Sequence, residues 1–259
     1  ALILADAGFD VFLLDHRGTT YSKRHTTLST RDNKFWQFTL DELAKFDVPA
    51  GIDRVLHLTG QPSLYFIGHS QGTLIGFMTL AENPAYNSKV KAMFQLGPAG
   101  TLGFGRGFLR FAVIAYNTLK PVFDVPLFIF MNYLNDQCIS GNLLSSVKKN
   151  SHKEEKLSLF CFLQPKCVLW KEPLQITPPP YDYRLIDVPV YLFWSRDDWV
   201  TTPEDIEHII LKSLRKEVVK GGREISGYNH ADFAIAEDCG NMVYEPIADI
   251  VRSKERDMC

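Results

Sequence analysis

Four short runs, DVFLLD at 10–15, SLYFIGH at 63–69, VKAMFQLG at 90–97 and PVYLFWS at 189–195, are apolar on both faces, and segments of helical spacing separate them. A strand that alternates apolar with polar residues can face water on one side. A strand that is apolar throughout needs cover on both, which is the situation of a parallel sheet between helical layers. The intervening segments supply that cover. TLDELAKFDVPAGIDRVLHLTG at 39–60 has Asp41 and Glu42 near its start, Gly60 at its end and Pro49, which is expected to kink it, inside. QGTLIGFMTLAEN at 71–83 stops before Pro84, and TPEDIEHIILKSL at 202–214 has Thr202 as N-cap and Pro203 at the first helical position. Alternation of this kind predicts an α/β fold with a mostly parallel sheet and helices on both faces.

With 259 residues, 46% of them hydrophobic and 22% charged, the chain can bury the core that such a fold requires. Residues 98–188 break the alternation. GFLRFAVIAYNTLKPVFDVPLFIFMNYL is crowded with aromatic and aliphatic residues, KKNSHKEEK at 148–156 is charged, and TPPPYDY at 177–183 is rich in proline. The expected organisation is a core in two pieces, 1–97 and 189–259, around a helical lid inserted at 98–188. The balance of 28 basic and 30 acidic residues offers no cationic field for nucleic acid. The longest uncharged apolar-rich runs, such as VPLFIFMNYL at 125–134, are shorter than the ~20 residues of a transmembrane helix.

Five cysteines, Cys138, Cys161, Cys167, Cys239 and Cys259, form no CxxC pair, and their odd number leaves at least one unpaired within the chain. Cys161 and Cys167 are a possible pair, with reduced thiols as the alternative. There is no N-x-S/T acceptor. The chain opens inside ALILADAGFDVFLLD, read as a helix end, a turn and a strand, without Met or a leader, so it is expected to start within a longer coding sequence and compartment is not legible from it.

The chemistry concentrates at GHSQG, 68–72. A G-x-S-x-G match alone is weak, but here LYFI precedes it as a strand and TLIGFMTLAEN follows as a helix. That is the strand-turn-helix setting in which the central serine is forced into an exposed, strained turn. Gly68 and Gly72 are expected to be small because backbone segments meet there, leaving the Ser70 hydroxyl to project. A serine hydroxyl becomes nucleophilic when an imidazole takes its proton and a carboxylate orients that imidazole. In α/β-hydrolases these follow in the order serine, acid, histidine. His16, His25 and His57 precede the serine, His69 adjoins it with its ring directed elsewhere, and His152 and His208 fall in the insert and in a helix; His230, in GGREISGYNHADFAIA, remains. For the acid, Asp197 and Asp198 in SRDD both stand directly after a strand. No HExxH-type spacing suggests a metal, and no cofactor is implied.

These motifs resemble the acid lipase family, the animal group that includes gastric and lysosomal acid lipases, within the α/β-hydrolase superfamily. LADAGFDVFLLDHRGTTYSKRHTTLS, FWQFTLDELAKFDVPAGIDRVLHLTGQ, LYFIGHSQGT, WSRDDWVTTPED and NHADFAIA match that family's segments in order and cover about half the chain. The resemblance implies Ser70 as nucleophile, His230 as general base and, counted back from Pro203 and Asp205, Asp198 as the acid; the backbone N–H of Gln71 would be one oxyanion donor. It implies a lipid ester as substrate and secretion or lysosomal residence. The aromatic-rich stretch at 104–134 is expected to cover the site, resting on a lipid surface or packed onto its own domain. The sequence departs from the family in three places. The strand and HG loop of the second oxyanion donor are expected upstream of residue 1, in the sheet between 10–15 and 63–69. The lid is shorter and lacks an N-P-A-G-T-S block. Thr19 replaces an asparagine, and WSRDD lacks the usual glycine. The alternative to a working esterase is therefore a non-catalytic remnant that only binds lipid.

Overall fold

The computed structural model describes residues 2–100, 104–106 and 181–257. Its centre is a parallel sheet of four strands in the order β1 (Leu64–His69), β2 (Val90–Leu96), β3 (Val190–Trp194) and β4 (Val219–Glu224). The first three are the apolar runs read from the sequence, and their side chains divide between two cores. Val90 and Met93 of β2 and Val190 and Leu192 of β3 face one helical layer; Ala92, Phe94 and Leu96 of β2 and Phe193 of β3 face the other.

The first layer holds α2 (Leu40–Glu42), a π turn over Leu43–Asp47, α3 (Val48–Thr59) and α4 (Gln71–Glu82). Thr39 caps α2, with its own N–H donating to Glu42 Oε2 at 2.7 Å, and Gly60 at φ 67 closes α3. Pro49 has no N–H to return to the preceding turn. Rather than break there, the helix widens just ahead of it, the Val48 N–H reaching back five residues to Leu43. The segment after Thr202 behaves alike: α5 (Pro203–Asp205), a π turn over Ile206–Ile210 and α6 (Leu211–Ser213), with Ile206 and Ile210 fully buried. The second layer holds α1 (Leu2–Asp6), α7 (Asp232–Ile235), a π turn over Gly240–Tyr244 and α8 (Glu245–Asp257), with Leu4, Phe233, Val243, Ile247 and Val251 in its core.

One expected strand is absent. Residues 10–15 are not in the sheet, and Leu13 is 80% exposed, with Val11, Phe12 and Leu14 also open. Apolarity makes a segment able to be a strand, but only a neighbour's N–H and C=O groups make it one. Among the described residues no strand ladders with 10–15, and β1 pairs only with β2. β4 shows the converse. Its VKGGRE is polar and exposed, yet β3 supplies its ladder.

Of the expected lid at 98–188, residues 101–103 and 107–180 lie outside the described residues, and so does the possible Cys161–Cys167 pair. The described part at 181–188 packs Tyr183, Ile186 and Val188 against the first core. Cys239 is a buried free thiol.

Candidate active site

β1 ends at His69 and α4 begins at Gln71, so a single residue, Ser70, turns the chain from strand to helix. Its backbone at φ 54, ψ −120 is the one positive-φ position outside glycine among the described residues. Such strain persists only where surroundings enforce it. Here the Ser70 N–H donates to Leu96 O on β2 at 3.1 Å, and the Thr73 hydroxyl donates to Ser70 O at 2.6 Å. The two glycines of the motif differ in what they permit. A Cβ on Gly68 would lie 2.6 Å from Gln95 Oε1 and 2.8 Å from the backbone at Gly72 and Thr73, so no larger residue fits. A Cβ on Gly72 would meet nothing within 4 Å, so close approach does not explain that glycine.

At this end of the sheet three distant segments converge. The Ser70 Oγ lies 2.6 Å from Nε2 of His230, and Nδ1 of the same ring lies 2.8 Å from Oδ2 of Asp198. Asp198 is fully buried, Ser70 is buried, and the His230 side chain is 15% exposed. Asp197 turns away: its Oδ2 accepts the Gly227 N–H at 2.7 Å. The geometry thus parts two adjacent acids that their common place after a strand leaves in competition and of which the resemblance implies Asp198. Gln71 is the first residue of α4, where a backbone N–H has no partner within the helix. Gly97, at φ 50 after β2, leaves room for the pair: a Cβ there would stand 3.3 Å from the His230 ring and 3.4 Å from Asp198 Oδ2. With a carboxylate accepting at Nδ1–H, Nε2 is left as acceptor for the hydroxyl, an arrangement able to draw a proton off Ser70.

Comparison with known proteins gives the family. The family model for the alpha/beta hydrolase fold matches residues 3–230. Lipase lipl-1 of Caenorhabditis elegans is 30% identical over 98% of this chain and 74% of its own length. Lipase lipl-3 of the same organism is 32% identical over 96% and 74%, and gastric triacylglycerol lipase of Mus musculus 31% identical over 95% and 73%. The chain belongs to the acid lipase family of α/β-hydrolases.

In this acid lipase family member the carboxylate of Asp198 is held by four donors. Oδ1 accepts the N–H groups of Val200 at 2.8 Å and Thr201 at 3.0 Å, while Oδ2 accepts the Thr201 hydroxyl at 2.6 Å and His230 Nδ1–H. Burial pushes its pKa up, but the hydrogen bonds from His230 and Thr201 outweigh burial and hold the carboxyl below the usual range. Thr201 was not singled out in the sequence. Its signal is an Asp followed three residues later by Thr in a tight loop, where an Asx-type turn brings that residue's N–H and hydroxyl to the carboxylate. Among the described residues no group of three His, Cys, Asp or Glu side chains converges as a metal site.

His69 packs behind His230, ring centroids 5.1 Å apart, with its Nε2 2.8 Å from the His230 carbonyl oxygen. Burial, reinforced by the nearby His230 ring, lowers its pKa from 6.5 to about 4. Below pH 6.5 the unfolded chain therefore binds a proton at this position that the folded one refuses. Stability falls as pH drops from about 6.5 to about 4, by at most about 3 kcal/mol, and levels off below. Urea midpoints of the wild type and His69→Gln, measured from pH 7 to pH 4, should converge as pH falls. Parallel curves would remove this account of His69.

Proposed function

We propose that this chain hydrolyses the carboxylic esters of lipids, acylglycerols or sterol esters, through an acyl-enzyme on Ser70. The observation that carries the reading is the continuous path from the Ser70 hydroxyl through both nitrogens of His230 to the buried Asp198. In the first half-reaction His230 Nε2 takes the hydroxyl proton while Ser70 Oγ bonds to the ester carbonyl carbon. Asp198 stabilises the imidazolium that results, and the Gln71 N–H receives the oxyanion. Collapse of the tetrahedral species breaks the bond to the alcohol, which leaves with the proton from His230. Water, deprotonated by the same ring, then releases the fatty acid.

The lipid as substrate rests on family membership, since fold and proton path do not fix the acyl or alcohol group. Exposed Phe104 and Trp199, joined by the Arg106 N–H donating to Trp199 O at 2.8 Å, support contact of this face with a lipid surface. As part of the same reading, 1–97 and 189–259 form the core, 98–188 is the insertion between them with its 104–134 stretch covering the site, and the protein is secreted or lysosomal. Among the described residues no helix is long and apolar enough to cross a membrane. The exposed apolar residues Val11 to Leu14, outside the sheet, favour a second reading, a lipid-binding protein without turnover.

A fluorophosphonate probe followed by peptide mass spectrometry separates the two. A working site is labelled at Ser70 and turns over long-chain esters faster than short ones. An unlabelled, folded protein would overturn the esterase reading.

A further inference from the structure

Asp198 Oδ2 is shared. The Thr201 hydroxyl donates to it at 2.6 Å and His230 Nδ1–H at 2.8 Å, and the hydroxyl oxygen is 3.5 Å from Nδ1. Thr201 is fully buried, and Val200 and Thr201 N–H groups already hold Oδ1, so neither the carboxylate nor the hydroxyl has a competing partner from solvent. We infer that Thr201 is a positioning residue whose hydroxyl, by drawing on the same oxygen as His230, keeps the imidazole unprotonated further into the acid range and so extends hydrolysis there. The inference rests on the proposed roles of Ser70, Asp198 and His230.

The physical reason is a difference between two protonation states. While the imidazole is neutral, Oδ2 carries its full charge and the O–H···O⁻ bond is at its strongest. Once the ring is cationic, Nδ1–H draws that charge and the hydroxyl bond weakens. The hydroxyl thus favours the neutral ring, and its removal hands the whole of Oδ2 to the imidazolium. Other titratable groups around the pair do not take this part. His69 faces the ring from the end of β1 and meets the His230 backbone oxygen. From the acid loop Asp197 is turned to Gly227 N–H, and from α7 Asp232 accepts the Asn229 N–H at 2.6 Å.

The test follows the His230 ring directly, by NMR of ¹³C-histidine-labelled protein, with its signal assigned by loss in His230→Gln. In Thr201→Val the ring midpoint should rise by about 0.5 to 1 pH unit, a fraction of the worth of a hydrogen bond to a charged group. The acid limb of kcat/KM on a soluble short-chain ester should move with it. Thr201→Ser, which keeps the hydroxyl, should stay with the wild type, and Thr201→Ala carries the valine prediction if valine prevents folding. An unmoved midpoint in folded Val or Ala protein, or an equal shift in the serine variant, overturns the inference. Failure of the esterase reading is distinguishable: the folded wild type then lacks turnover, or turnover survives Ser70→Ala, whatever the ring titration shows.

Discussion

Ser70→Ala should abolish ester hydrolysis, with kcat falling by about 10⁶-fold, the size of loss seen when a serine hydrolase loses its nucleophile. The effect is large because nothing else stands where Ser70 Oγ stands. It is 2.6 Å from His230 Nε2, at the strained turn between strand and helix, and Thr73, the next hydroxyl along, is committed to the Ser70 carbonyl. The change deletes one oxygen and leaves the backbone conformation to the same enforcing bonds, so the melting temperature should stay close to that of the wild type. Activity and melting are measured on the same preparation. A folded alanine variant that still turns over ester would show that the hydrolysis comes from elsewhere.

Asp198→Asn should lower kcat by about 10⁴-fold while Asp197→Asn changes it only a few-fold. The reason lies in how the two carboxylate oxygens of Asp198 are held. Two backbone N–H groups point at Oδ1, so an asparagine there must set its carbonyl oxygen on that side and its NH₂ on the side of Oδ2. That NH₂ faces His230 Nδ1 and forces the ring to accept there. The ring proton then sits on Nε2, which can no longer receive the proton of Ser70. Among the described residues Asp197 holds the Gly227 N–H, away from the ring. Rates of the two variants under saturating substrate decide the matter, and equal losses would mean that the acid loop, rather than one carboxylate, is what matters.

Legibility varied by element. The runs at 63–69, 90–97 and 189–195 were readable because both their faces are buried, and burial on both faces leaves an apolar stretch in any sequence. The same pattern at 10–15 misled, since side chains say nothing about whether a neighbour offers a ladder. β4 was legible only as a last strand-like run ahead of the His230 loop, without bounds, for the opposite reason: its faces are largely exposed, so its residues carry little apolar signal while β3 holds its backbone. α8 was readable in principle, with Ile247, Ala248 and Val251 on one face, but it was not drawn from the sequence.

The sequence by itself determined the parallel α/β core, the turn at Ser70 and the short set of histidines and acids from which the site is built, because strand burial, glycine at a close approach and chain order are local properties. Only the tertiary structure decided how the acid loop lies, with Asp198 at the His230 ring and Asp197 turned to Gly227, that Thr201 shares the Asp198 oxygen with that ring, and that Gly72 has open space around it. Those are questions of direction and distance between segments about 30 to 160 residues apart, fixed by the register of β1, β2 and β3 in the sheet and by where the loops after them return.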